Sequence, residues 1–98
     1  MSIEEAVERF NEVYKKNRKP LDTKSNFYCG ITNDIEERET AHNATFLITM
    51  KANSFETAQD MEQALHDEGY DTGKTIGAGQ HDSVNVYMYR KIPGVTKE

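Results

Sequence analysis

The sequence predicts a small single-domain α/β (α+β) protein, in which a mainly antiparallel sheet of three strands is flanked by about three helices. Three observations lead there. Two stretches carry apolar residues at three- and four-residue intervals behind a capping residue, and a third opens on a capping box, the marks of helices. Three others are short apolar or alternating runs bounded by turn formers, the mark of strands. A chain of 98 residues that is 36% hydrophobic and 30% charged has enough apolar mass for one core and too little for two, so residues 1–98 are expected to form one domain.

The elements follow in chain order. Ser2 and Glu5 form a capping box, and Ile3, Ala6, Val7, Phe10, Val13 and Tyr14 then line one face, giving a helix over about residues 1–18 that ends before Pro20. Residues 19–26 are polar and rich in turn formers, a connecting loop. Phe27–Ile31 is a short apolar run that reads as a strand. Asn33 with Glu36 makes a second capping box, opening a helix that runs to about His42, and Asp34, Arg38 and His42 then share a face at i, i+4, i+8. From Ala44 to Lys51, Phe46, Ile48 and Met50 alternate against Thr45, Leu47, Thr49 and Lys51, which predicts a strand with one better-buried face. Asn53 or Ser54 caps a third helix with the stripe Phe55, Ala58, Met61 and Leu65 and a stop at Gly69. Residues 69–82 hold four glycines without periodicity and read as a mobile loop. Residues 83–92 close the chain as a strand with Val84, Val86 and Met88 on one face and Tyr87 and Tyr89 on the other.

Composition narrows the function classes. Glu4 and Glu5 stand where a signal peptide needs positive charge, and no run of about 18 apolar residues occurs, so the expectation is a cytoplasmic protein without a membrane partner. The lone Cys29 offers neither an internal disulfide nor a cysteine zinc site, and its expected role is to fill space in a strand. The net charge of −5 argues against a broad phosphate-binding surface, because affinity for nucleic acid rests on cations that displace counterions. The one dense basic cluster, Lys15, Lys16, Arg18 and Lys19, is explained as cations that complement a helix C-terminus. Within the glycine loop, the stretch DTGKT (residues 71–75) lacks the glycine a phosphate-binding loop requires five residues before Gly73, where Glu68 stands.

Candidate chemistry begins with Glu62, which lies at the edge of the third helix's apolar stripe, where a carboxylate needs either solvent or a partner such as His66 one turn on. The segment Phe27–Asn43, FYCGITNDIEERETAHN, adds to this. Tyr28-Cys29-Gly30, then Thr32, Asp34, Ile35, Arg38 and His42-Asn43, resembles the second signature of the GIY-YIG nuclease family, and Ala58 and Glu62 stand as the alanine and glutamate of that family's later helix do. The resemblance covers roughly residues 27–65.

The resemblance implies Mg²⁺-dependent hydrolysis of a nucleic-acid phosphodiester. Glu62 would bind the Mg²⁺, a hard cation commonly held by few carboxylates and several waters. Arg38 would set a fixed positive charge against the scissile phosphate, and Tyr28, with His42 nearby, would position or deprotonate the attacking water. Each has a plainer alternative: Tyr28 as a half-buried strand aromatic, Arg38 as an ion-pair partner of Asp34, His42 as a helix-end residue. The family's first signature, a strand carrying GIY, is absent, since residues 13–19 read VYKKNRK at the close of a helix. NVYMYRKI resembles that strand moved to the other end of the chain, so residues 84–91 are expected to pair antiparallel beside residues 27–31 and bring Tyr87 or Tyr89 to the site. Two functions therefore stand: a GIY-YIG-like endonuclease that binds DNA weakly, or a catalytically silent domain of that kind that binds protein or nucleic acid. A small regulatory domain is a third.

Overall fold

The computed structural model describes residues 2–73 and 84–97. Helix α1 spans Ile3–Asn17, strand β1 Phe27–Thr32, α2 Ile35–His42, β2 Ile48–Lys51, α3 Phe55–Asp67 and β3 Asn85–Arg90, with a 3₁₀ turn at Lys24–Asn26 leading into β1. The three strands form one antiparallel sheet in the order β1-β3-β2. The C-terminal strand is therefore the central one, hydrogen-bonded on both sides, which is why its residues 86–89 are all buried.

The register assigns the faces. Cys29 stands opposite Met88 and Ile31 opposite Val86, while Ile48 pairs with Met88 and Met50 with Val86. Side chains directly opposite in a ladder share a face. This aliphatic face meets Ala6 and Phe10 of α1 and Ala58, Met61 and Leu65 of α3 in one hydrophobic cluster, so the stripe predicted for α1 and that predicted for α3, apart from the partly buried Phe55, are the ones that pack there. Tyr28 opposite Tyr89 and Gly30 opposite Tyr87 form the other face.

Local chemistry sets the element ends. The Ser2–Glu5 capping box forms as expected, and Ser54 caps α3 by accepting from the Thr57 N–H. Helix α2 departs from expectation: its cap is Asp34, whose Oδ1 accepts from the Glu37 N–H at 3.1 Å, and not Asn33. The adjacent Thr32 decides it, because its Oγ1 accepts from the Asp34 N–H and donates to the Asp34 carbonyl, a tight turn that holds Asp34 extended at the helix mouth. The strand expected over 44–51 shrinks to Ile48–Lys51, because only from Leu47 onward does the chain reach the ladder, where the Leu47 N–H donates to the Met88 carbonyl. Phe46, still outside the ladder, turns to the tyrosine face and stacks on Tyr87 at 4.1 Å.

The loop expected over 69–82 is pinned at its start. Gly69, at φ 109°, ends α3 as predicted. Asp71 then lies parallel to β1, donating its N–H to the Phe27 carbonyl and accepting from the Cys29 N–H at 2.8 Å, and this covers β1's outer edge. Positions 74–82 of that loop lie outside the described residues. No helix among the described residues is long and apolar enough to cross a membrane. Of the basic cluster, Arg18 is committed to structure: its guanidinium donates to the carbonyls of Pro20 and Asp22 and lies over the Tyr14 ring.

Candidate functional site

Strand pairing builds the site. Because Tyr28 and Tyr89 are ladder partners, their rings stack with centroids 5.3 Å apart, and Tyr28 also lies 6.4 Å from the Tyr87 ring. Tyr28 is half-buried, whereas Tyr87 and Tyr89 are buried. The expectation that a tyrosine of the last strand approaches Tyr28 across the ladder is met, and the structure brings both there. Gly30 explains the third residue of its triplet. A Cβ at that position would stand 2.5 Å from the Tyr87 hydroxyl oxygen, so the Tyr87 ring end occupies the space a side chain would fill.

The His42-Asn43 pair closes α2 and faces two ways. Asn43 takes a left-handed conformation at φ 51°, ends the helix, and donates its Nδ2 to the Val95 carbonyl at 2.8 Å. His42 turns inward and is buried, with Nε2 3.0 Å from the Tyr87 hydroxyl and Nδ1 3.1 Å from the Tyr89 hydroxyl. It is thus more than a helix-end residue, since one imidazole joins both tyrosines of β3.

Arg38 lies one turn before His42 on α2, is exposed, and joins no ion pair among the described residues. The alternative in which Arg38 pairs with Asp34 is not seen among the described residues, where Asp34 Oδ1 caps α2. Glu62 is only 4% exposed, on the stripe of α3. His66, its suggested partner, bonds Thr72 Oγ1 through Nδ1 at 3.0 Å.

Burial pushes the Tyr87 hydroxyl well above the ordinary tyrosine range; neighbouring Tyr28 and Glu62 push it the same way, and Arg38 opposes them. Tyr87 is accordingly held as a neutral O–H donor. Cys29, on the aliphatic face, is raised well above its ordinary value by burial first and by Glu62 and Asp71 after it, which leaves it an inert space-filler.

Three participants were invisible in the sequence: Gly30 as clearance for Tyr87, Phe46 as the flat support beneath it, and the Lys97 carbonyl, which meets His42 Nδ1 at 2.5 Å. Gly30 stands in the quoted triplet and Phe46 in the alternation, but neither signal shows these roles, since each depends on a partner at least 41 residues away or on backbone alone. Comparison with models of known protein families, with curated proteins and with solved structures finds no match for this chain, so its functional reading rests on its own side chains.

Proposed function

We propose that this chain is a GIY-YIG-like, Mg²⁺-dependent endonuclease that hydrolyses a nucleic-acid phosphodiester at the tyrosine face of its sheet. The observation that carries the reading is the tyrosine face itself, where Tyr28 stacks beside Tyr89 and Tyr87 and His42 joins both hydroxyls of β3. Among the described residues Arg38 joins no ion pair, and an exposed guanidinium on the helix that carries His42 suits an anionic substrate.

The resemblance assigns the metal to one carboxylate, Glu62, and Mg²⁺ is commonly held by few carboxylates while it keeps several waters and shares substrate oxygens. The ion, when bound, would neutralise charge on the phosphate oxygens. The chain's own groups supply the rest. Arg38 donates to the phosphate, where its planar fork matches two oxygens. Tyr28, the half-buried tyrosine, orients the attacking water, while Tyr89 and Phe46 hold the rings of the cluster in place.

Nicking of supercoiled plasmid in Mg²⁺ at low salt tests this. Glu62→Gln keeps shape and removes the charge, and Arg38→Ala removes the phosphate contact; each is expected to slow nicking by about 100-fold or more. Glu62→Gln with wild-type activity removes Glu62 from the mechanism. A wild type that does not nick at all sinks the enzymatic reading and supports the second one, a silent domain that binds protein or nucleic acid. That second reading is favoured by one specific observation, the burial of Glu62 and Tyr87 to 4% and 3% exposure in a chain of net charge −5.

A further inference from the structure

The segment 92–97 folds back over the end of α2 and makes three contacts there. Asn43 Nδ2 donates to the Val95 carbonyl, the Lys97 N–H donates to the His42 carbonyl, and the Lys97 carbonyl faces His42 Nδ1. The segment is itself braced, because the Thr96 hydroxyl accepts from the Ile92 N–H at 3.0 Å and the Thr96 N–H donates to the Ile92 carbonyl.

A carbonyl oxygen accepts and never donates. At 2.5 Å from Lys97 O, His42 Nδ1 must therefore carry a hydrogen; a lone pair there would face the carbonyl's own lone pairs. The Tyr89 hydroxyl adjusts to this, since it can donate to the same Lys97 carbonyl at 3.5 Å while its oxygen faces Nδ1–H. With Nδ1 protonated, neutral His42 has its lone pair at Nε2, which is the atom that meets Tyr87. Tyr87 is held neutral, so its O–H is the donor in that bond. Free imidazole side chains favour the opposite tautomer, with hydrogen on Nε2, and the second nitrogen's partner is what decides between them.

We propose that the segment 92–97 is a tautomer lock: the Lys97 carbonyl holds His42 as the Nδ1–H form so that Nε2 remains open to take the Tyr87 proton. The mechanistic part of this rests on the endonuclease reading; the tautomer does not. In the reaction, a water O–H bond breaks as its proton moves to the Tyr87 oxygen. The original Tyr87 O–H bond breaks as that proton moves to Nε2, and hydroxide and an imidazolium result. Tyr87 ends as it began, and His42 carries the charge. Lys97 is a positioning residue, acting through His42.

Long-range ¹H–¹⁵N correlation on the ¹⁵N-labelled full chain, at the pH of the nicking assay, reads the tautomer directly. The expected result is a His42 Nδ1 shift of a protonated nitrogen and an Nε2 shift of a bare one. An Nε2–H tautomer, or two protonated nitrogens, overturns the proposal whatever the activity. Asn43→Gly preserves the left-handed cap but removes the Val95 anchor, so the His42 signals are expected to move toward the Nε2–H form while far-ultraviolet circular dichroism stays the same. His42→Asn keeps a donor for the Lys97 carbonyl but cannot reach Tyr87; a folded His42→Asn protein should nick about 100-fold more slowly, the lower range for loss of a proton acceptor. A Nδ1–H tautomer with undiminished nicking in His42→Asn would leave the lock in place but reject its catalytic use. The absence of nicking in wild type, with the Nδ1–H tautomer present, would reject the endonuclease reading and not the lock.

Discussion

Replacing Gly30 by alanine should cost stability through one contact, and the size of the cost can be built from the structure. The new Cβ would stand 2.5 Å from Tyr87 Oη and 2.7 Å from Cζ, about 1 Å inside ordinary contact. Tyr87 cannot easily retreat, because Phe46 stacks flat on it at 4.1 Å and His42 Nε2 holds its hydroxyl at 3.0 Å. Overpacking of this kind costs about 1–3 kcal/mol, and a lost hydrogen bond adds about 0.5–1.5 kcal/mol. Against this, glycine to alanine restricts the unfolded chain and returns about 0.4–1 kcal/mol. The steric effect wins, with a net loss of about 1–3 kcal/mol and a fall in Tm on the order of 10 °C for a domain of this size. Urea unfolding followed by near-ultraviolet tyrosine circular dichroism measures it. A Gly30→Ala/Tyr87→Phe double variant removes the closest contact, so its loss should be smaller than the sum of the two single losses. Gly30→Ala with wild-type stability, or strict additivity in the cycle, would refute the claim that Gly30 is clearance for Tyr87.

Two other predictions test the frame around the site. Asp22 receives the Arg90 guanidinium at 2.7 and 3.1 Å and the Lys19 N–H at 2.8 Å, which hold its carboxyl down to about 2 from an ordinary 3.8. A depressed carboxyl stabilises the fold above its ordinary value and loses that contribution as pH falls through its folded value, so wild type should exceed Asp22→Asn above pH 3.8 and the two should converge near pH 2. Urea midpoints at several pH values measure this, and a constant gap across that window would contradict it. Binding to short duplex DNA, measured by fluorescence anisotropy, should be weak and should fall steeply with added salt, because few cations work against a net charge of −5; tight binding that survives high salt would contradict this reading.

What the sequence made legible was whatever periodicity and capping encode. The stripes of α1 and α3 are spaced for helices and bury as spaced, and the alternation of Val86 and Met88 against Tyr87 and Tyr89 fixes the two faces of β3 before any partner is known. The ends were less legible where two capping residues adjoin: Asn33 and Asp34 both suit a cap, and only the Thr32 turn decides between them. Phe46 illustrates a deeper limit. Alternation placed it with Ile48 and Met50, yet alternation holds only inside a ladder, and the chain joins the ladder one residue later. The Lys97 carbonyl could not be read at all, since every residue has one and only the fold says which is used.

The arrangement of strands has a consequence for when the site exists. In a sheet ordered β1-β3-β2, the two outer strands share no ladder with each other, so the sheet has no pairing until β3 is in place. The hydrogen bonds of His42 on the tyrosine face cross long intervals: it meets Tyr87 across 45 residues, Tyr89 across 47 and Lys97 across 55. Closing loops of that length costs entropy before any contact repays it, so these bonds form together with the global fold and not ahead of it. Helices α1 and α3 can associate through their own stripes, but α2 buries mainly His42, whose hydrogen-bond partners among the described residues lie on or after β3. The order of docking thus makes the tyrosine face a direct report of complete folding: a chain with native helix content but an unpaired β3 has Tyr28 and His42 without the Tyr87 and Tyr89 hydroxyls that complete the face.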